Sequence, residues 1–231
     1  IKRLEVKKLE LLAPAGDMNQ ALAAIDAGCD AIYGGLKNWN ARNRAKNFSL
    51  NEYNDLLEIC HSRQVKFYLT LNTLLRDDEL NQILELFESK NFKHPDAVLV
   101  ADLGLLSELR DRFPNIELHA STQFGACNFS DLMLLEDLGV KRAVLARELM
   151  LSEIENLRQK TKIELEIFVY GSQCVCFSGQ CLWGGLIEGG SGNRGRCHGM
   201  CRDVYQQGAK IGQAAGSYAG ERRDTAEHFH G

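Results

Sequence analysis

One pattern repeats along the first 170 residues. A short apolar run is followed by a longer stretch with apolar residues at helical spacing, at intervals of roughly 25 to 35 residues, the length of one strand–helix unit. The strand-like runs fall at 9–15, 31–35, 66–72, 97–100, 116–121, 142–146 and 163–170. Helix-period segments lie between them at 18–27, 50–63, 77–90, 103–113, 128–138 and 151–159. In the fourth of these, Leu103, Leu106 and Leu109 keep the helical spacing until Phe113-Pro114 stops it. Asp17 and Ser49 suit helix N-caps, and Gly28 and Gly139 suit C-terminal stops. Strands that alternate with helices through short connections imply a parallel sheet. The fold class predicted is α/β, an incomplete (β/α)8 TIM-like barrel; an open doubly wound sheet is the alternative.

The character of the chain changes after Tyr170. Six glycines between Leu182 and Arg196 predict that this stretch forms no ordinary helix or strand. Five of the eight cysteines gather here, Cys174, Cys176, Cys181, Cys197 and Cys201, spaced C-x-C-x4-C-x15-C-x3-C. Reduced, buried thiols account well for the single residues Cys29, Cys60 and Cys127. They account poorly for a cluster set among glycines and polar groups. Soft thiolates at this density point to zinc or an iron–sulfur centre. From Asp203 onward no apolar periodicity remains, so a poorly ordered tail is expected, with His228 and His230 as solvated residues. Three regions follow: a barrel portion at 1–170, a Cys/Gly-rich metal-binding segment after strand seven at 171–202, and the tail at 203–231.

A chain of 231 residues can bury one substantial core. Its net charge of −4 excludes a global positive field for nucleic acid, while leaving room for a local basic surface. There is no run of 18 apolar residues, which argues against a membrane span, and the charged start IKRLEVKKLELL is not a secretory signal. A cytoplasmic location is expected. Ile at position 1, together with the unpatterned tail, leads to the expectation of a fragment or processed product.

In a barrel of alternating strands and helices, functional groups stand at the C-terminal strand ends and on the loops that follow. That rule selects Tyr33, Gly34, Asn72, Asp102, His119, Ser121, Gln123, Arg147, Glu148 and Tyr170. The cysteine segment follows strand seven directly, so a metal there would share this mouth. From this set His119, Arg147 and Glu148 are the catalytic candidates, and Arg42, Asn72 and Gln123 the substrate-binding ones. Each has a plainer use. Asn72 and Asp102 serve equally as helix caps. Arg147 and Glu148 make sense as a local ion pair, and His119 as a satisfied strand histidine. Arg42 and Arg44 either clamp a carboxylate or phosphate through guanidinium forks or are solvated loop charges. No HExxH or G-x-S-x-G element is present.

The runs LELLAPAGD, DAIYGG, FYLTLNTLLRDDEL, IELHASTQ, VLARELMLSEI, EIFVYGSQCVCFSGQC and GNRGRCHGMCR occur in an order that resembles the peptidase U32 family, over residues 9–202. The most specific element is E-I-F-V-x-G-x-x-C-x-x-x-S-G-x-C followed by N-R-G-x-C-x-x-x-C-R. Within the family, TLNTLLRDDEL, IELHASTQ, VLAREL and SGQC look most similar to the branch that hydroxylates cytidine in ribosomal RNA. Other members modify transfer RNA or hydroxylate ubiquinone precursors. The resemblance implies a [4Fe–4S] cluster on Cys174, Cys181 and Cys197, with Cys201 as the fourth candidate ligand and Cys176 a spare thiol. It also implies prephenate as a co-substrate in the RNA-modifying branch. The family continues past this point with a further barrel section, so the chain is expected to be C-terminally truncated.

Three functions are therefore in view. The leading one is an iron–sulfur enzyme hydroxylating a pyrimidine, cytidine in ribosomal RNA, with RNA or a small aromatic metabolite as partner. The second is a U32-type protease or collagenase, and the third a non-catalytic module holding zinc. A brown anaerobic preparation, peptide cleavage independent of a cluster, and colourless zinc-loaded protein separate the three.

Overall fold

The computed structural model describes residues 9–43, 45–171, 174–188 and 190–202. Among the described residues seven strands and seven α-helices alternate at first without interruption: β1 Leu12–Pro14, α1 Met18–Asp26, β2 Ala31–Gly34, α2 Leu50–Ser62, β3 Lys66–Leu71, α3 Asp77–Glu88, β4 Ala97–Val100, α4 Leu103–Arg112, β5 Glu117–Ala120, α5 Phe129–Asp137, β6 Arg142–Val144, α6 Leu151–Lys160 and β7 Glu164–Glu166. A last helix, α7 Trp183–Glu188, follows in the cysteine segment. Each strand pairs in parallel with the next, in the order β1-β2-β3-β4-β5-β6-β7. The result is a curled half-barrel with helices outside it, an incomplete (β/α) barrel.

The helix boundaries have local causes. Asp17 accepts a hydrogen bond from the Gln20 N–H at 2.9 Å, and Ser49 with Glu52 forms a reciprocal capping box. Gly28 and Gly139 take positive φ (87° and 86°) just past α1 and α5, where a side chain would be strained. Asp102 caps α4 through the Leu105 N–H at 3.0 Å, and its other oxygen accepts from Leu75 N–H at 3.1 Å.

Strand alternation then builds two cores. Ile32, Phe67, Leu69, Leu71, Val98, Val100, Leu118 and Ala120 face the helices, and each is at most 3% exposed. Tyr53 stacks on Phe92 and meets Phe67 edge-on in that layer. Burying each of the Ile, Leu, Val and Phe side chains there contributes about 1.5–3 kcal/mol. The opposite residues, Leu12, Ala31, Tyr33, Tyr68, Ala97, Leu99 and Val144, form a second cluster inside the curl.

Two sequence expectations are corrected here. Strand seven stops at Glu166 rather than reaching 170: Val169 and Tyr170 are 83% and 86% exposed, and the chain peels away from β6. The glycine-rich stretch does contain a helix, α7, closed by a hydrogen bond from Gly190 N–H to the Gly184 carbonyl at 3.0 Å. A Cβ on Gly184 would stand 2.4 Å from the Gly190 oxygen, so the glycine permits that closure. The expectation of a disordered tail concerns residues 203–231, which lie outside the described residues.

Candidate active site at the barrel mouth

Inside the curl, toward the N-terminal ends of the strands, lies an ion network. Arg142 donates a two-fold hydrogen bond to Glu164 at 3.0 and 2.7 Å and another to Glu10 at 2.5 Å. Glu10 also accepts from the Tyr68 hydroxyl at 2.8 Å. Burial works to raise the Glu10 carboxyl, but these donors outweigh it and hold it below the ordinary range. Glu166, at the end of β7, is 3.6 Å from the same guanidinium, and its Oε2 is buried with no hydrogen-bond partner among the described residues. Desolvation therefore dominates, opposed by Arg142, and pushes the Glu166 pKa up to about 7. Sequence reading missed Glu166 as a site residue, although it is the first letter of the EIFVYG run.

His119 sits in this inner layer rather than at the rim. It is fully buried, edge-on to Tyr68 at 4.8 Å, and neither ring nitrogen has a hydrogen-bond partner among the described residues. Its Nε2 is 3.6 Å from Glu117, too far for a hydrogen bond. Burial, with help from Arg142, lowers its pKa to about 3. The imidazole is neutral at physiological pH.

At the C-terminal ends the other candidates meet. Arg42 donates to the Tyr33 hydroxyl at 3.3 Å and lies 5.7 Å from that ring's centre. Tyr33 is raised chiefly by burial, with Arg42, Glu166 and Arg147 all acting on it, so these four share one neighbourhood. Asn72 is not a helix cap; its Oδ1 accepts from the Ala41 N–H at 2.9 Å and its amide reaches Ser121 Oγ at 3.4 Å. That contact ties the loop carrying Arg42 to strands β3 and β5.

Arg147 and Glu148 both turn to the cysteine segment. Arg147 covers the Phe168 ring at 4.6 Å and donates to Cys174 Sγ at 3.5 Å. Glu148 accepts from both the N–H and the hydroxyl of Ser178, each at 2.8 Å. Burial tends to raise the Glu148 carboxyl, but the Ser178 bonds and Arg147 prevail and lower it. Ser178 has φ 41°, a left-handed conformation uncommon without glycine, and its two hydrogen bonds to Glu148 hold it there. Gln123 contributes its backbone carbonyl, accepting from the Gln180 amide at 3.0 Å. The segment is pinned a third time by Leu74 N–H to the Asn193 carbonyl at 3.0 Å and by Arg194 to Glu79 at 2.8 Å.

None of the eight cysteines forms a disulfide. The Cys181 thiol is lowered by backbone N–H groups of Gly184 and Trp183 and by a hydrogen bond from Cys176. Cys176 is raised by that same hydrogen bond and by the neighbouring sulfurs of Cys181, Cys174 and Cys201. Cys181 and Cys197 flank Gly192, with their Cβ atoms 3.6 and 3.9 Å from where a Gly192 Cβ would stand. Among the described residues no group of three or more His, Cys, Asp or Glu side chains is arranged as a ready metal site. The donor chemistry nonetheless fits a sulfur-liganded centre: five thiols lie on one segment, and Cys181, supported by backbone N–H donors, is the most thiolate-prone of the pair it forms with Cys176.

Fold and site together define a TIM-like half-barrel carrying a cysteine-rich segment on its C-terminal face. The sequence profile of Peptidase family U32 matches residues 16–229, and the chain belongs to that family. It is 41% identical over 198 residues to a 23S rRNA 5-hydroxycytidine synthase of Escherichia coli, covering 86% of this chain and 30% of that protein. A tRNA hydroxylation protein P of Helicobacter pylori is 38% identical over 203 residues, covering 87% of this chain and 48% of the relative. A protein named collagenase from Porphyromonas gingivalis is 28% identical over 214 residues, 87% of this chain and 51% of its own length. The chain thus spans about half the length or less of these curated relatives. A solved U32 peptidase shares the fold with a TM-score of 0.57 at 15% identity, covering 71% of this chain and 72% of that one. No helix among the described residues is long and apolar enough to cross a membrane.

Proposed function

We propose that this chain is the barrel portion of a cytoplasmic RNA hydroxylase that adds a hydroxyl group to a pyrimidine, with cytidine in ribosomal RNA as the favoured target. The observation that carries the reading is the attachment of the cysteine segment to the end of β6: Arg147 to Cys174 at 3.5 Å and Glu148 to Ser178 at 2.8 Å. It sets thiols beside the strand ends where a barrel binds substrate. The relatives named for RNA hydroxylation supply the reaction class.

Cys174, Cys181 and Cys197, with Cys201, would hold a [4Fe–4S] cluster, which supplies electron transfer when bound. Cys176 would act as hydrogen-bond donor to Cys181 rather than as a ligand. Arg42 and Arg147, both acting on Tyr33, are two guanidiniums suited to an anionic co-substrate such as prephenate or to an RNA phosphate. Glu166, with a pKa of about 7, is the group there able to take up or give a proton.

The test is mass spectrometry of RNA from a hydroxylase-deleted strain that carries the full-length protein or its Cys181→Ala variant. Restored hydroxycytidine with the parent and none with the variant is expected. Full modification by Cys181→Ala would refute the cluster role, and none by the parent would refute the substrate.

A further inference from the structure

Beside the mouth, the loop between β2 and α2, the start of α3 and the cysteine segment enclose a cleft of about 200 Å³. It is lined by Asn38, Trp39, Asn43, Thr73, Gln82 and Arg196, together with the paired residues Arg76–Asp78 and Arg194–Glu79. The acids are thereby neutralised within the wall. Arg196 is exposed and has no carboxylate partner among the described residues. Asn43 Oδ1 is buried and has no hydrogen-bond partner among the described residues, an unmet polar capacity on the same wall. Trp39 adopts φ 61°, a strained backbone state for a bulky residue, of the kind that collects at binding sites.

The two loops that meet here are both basic, although the chain as a whole is acidic. Residues 36–48 hold Lys37, Arg42, Arg44 and Lys46 and no acid; residues 189–202 hold Arg194, Arg196 and Arg202 and no acid, although the whole chain carries −4. They touch at Gly195, where a Cβ would be only 2.2 Å from the Asn40 carbonyl oxygen. Only a glycine allows that approach.

We propose that this cleft binds the single-stranded RNA flanking the nucleotide that enters the mouth, a deeper reading that rests on the RNA function above. Arg196 takes a backbone phosphate, while the hydroxyl and amide groups of Thr73, Gln82 and Asn38 meet ribose and base edges.

The experiment measures binding of a short fluorescein-labelled single-stranded RNA to the full-length protein across a potassium chloride series. Arg196→Glu and Asn38→Asp are compared with Lys90→Glu and Lys160→Glu, exposed residues just past α3 and at the end of α6, remote from the cleft. Unfolding curves confirm that each variant is folded. Loss of one phosphate contact lowers the slope of log affinity against log salt by about 0.7. The proposal expects that drop with Arg196→Glu, weaker binding with Asn38→Asp, and parental behaviour from both controls. Parental binding by both cleft variants would overturn the cleft and leave the RNA function standing. A parent that binds polyglutamate but no RNA would overturn both.

Discussion

Gly195 gives the sharpest test of how the cysteine segment is held. Its φ is 72°, and a Cβ there would lie 2.2 Å from the Asn40 carbonyl oxygen and 3.2 Å from Asn43 Cβ. Gly199 provides the control: its φ is 73°, yet nothing lies within 4 Å of its missing Cβ. Alanine at either position bears the left-handed penalty of about 1–2 kcal/mol. Only Gly195→Ala adds overpacking against backbone, about 1–3 kcal/mol more. That difference corresponds to about 5- to 150-fold more opening of the segment. The α/β core is untouched, so the effect is local. Hydrogen exchange with mass spectrometry should show faster exchange at 190–202 and 36–48 in Gly195→Ala than in Gly199→Ala, with protection of β3 and β4 unchanged. Equal exchange in the two variants would refute the close approach of these loops.

Other expectations follow from the barrel interior and the β6 end. Arg142→Met leaves Glu10, Glu164 and Glu166 without their shared cation; urea unfolding should show a loss of about 3–5 kcal/mol, and a loss under 1 would contradict the network. Glu166 has a folded pKa of about 7 against an ordinary 4.5, so the folded state binds more protons between those values and the parent loses stability as pH rises through that window. Glu166→Gln removes the term, and its stability relative to parent should climb by up to about 1.4 kcal/mol per pH unit from 4.5 to 7; a flat difference would sink the assignment. Glu148→Ala frees Ser178 from its strained geometry, and the expected result is lost iron with a nearly unchanged thermal midpoint.

Much of the architecture was legible because it is written locally. Asp17, Ser49, Gly28 and Gly139 mark helix ends through their own side chains or lack of them, and a continuous apolar run followed by a period-3.6 pattern separates β4 from α4 almost to the residue. What escaped the sequence depends on distant partners. Glu166 looks like one more surface acid until the fold brings Arg142 and Glu10 close to it. His119 reads as a rim residue, but the stagger of neighbouring strands places it beside Arg142 in the inner layer. The α7 helix was hidden because its glycines argue against helix by propensity, whereas here they permit the turn back to Gly190. Arg147 and Glu148 suggested a pair with each other; the segment that claims them lies about thirty residues on in the chain.

The central claim is that this cysteine segment serves an iron–sulfur hydroxylase. It is tested most directly by iron and acid-labile sulfide determination on anaerobically purified full-length protein, parent beside Cys181→Ala and Cys176→Ala. The account predicts a brown parent with about four iron and four sulfide per chain, a colourless Cys181→Ala and a Cys176→Ala that keeps its cluster. A colourless parent that retains zinc and no sulfide would contradict it.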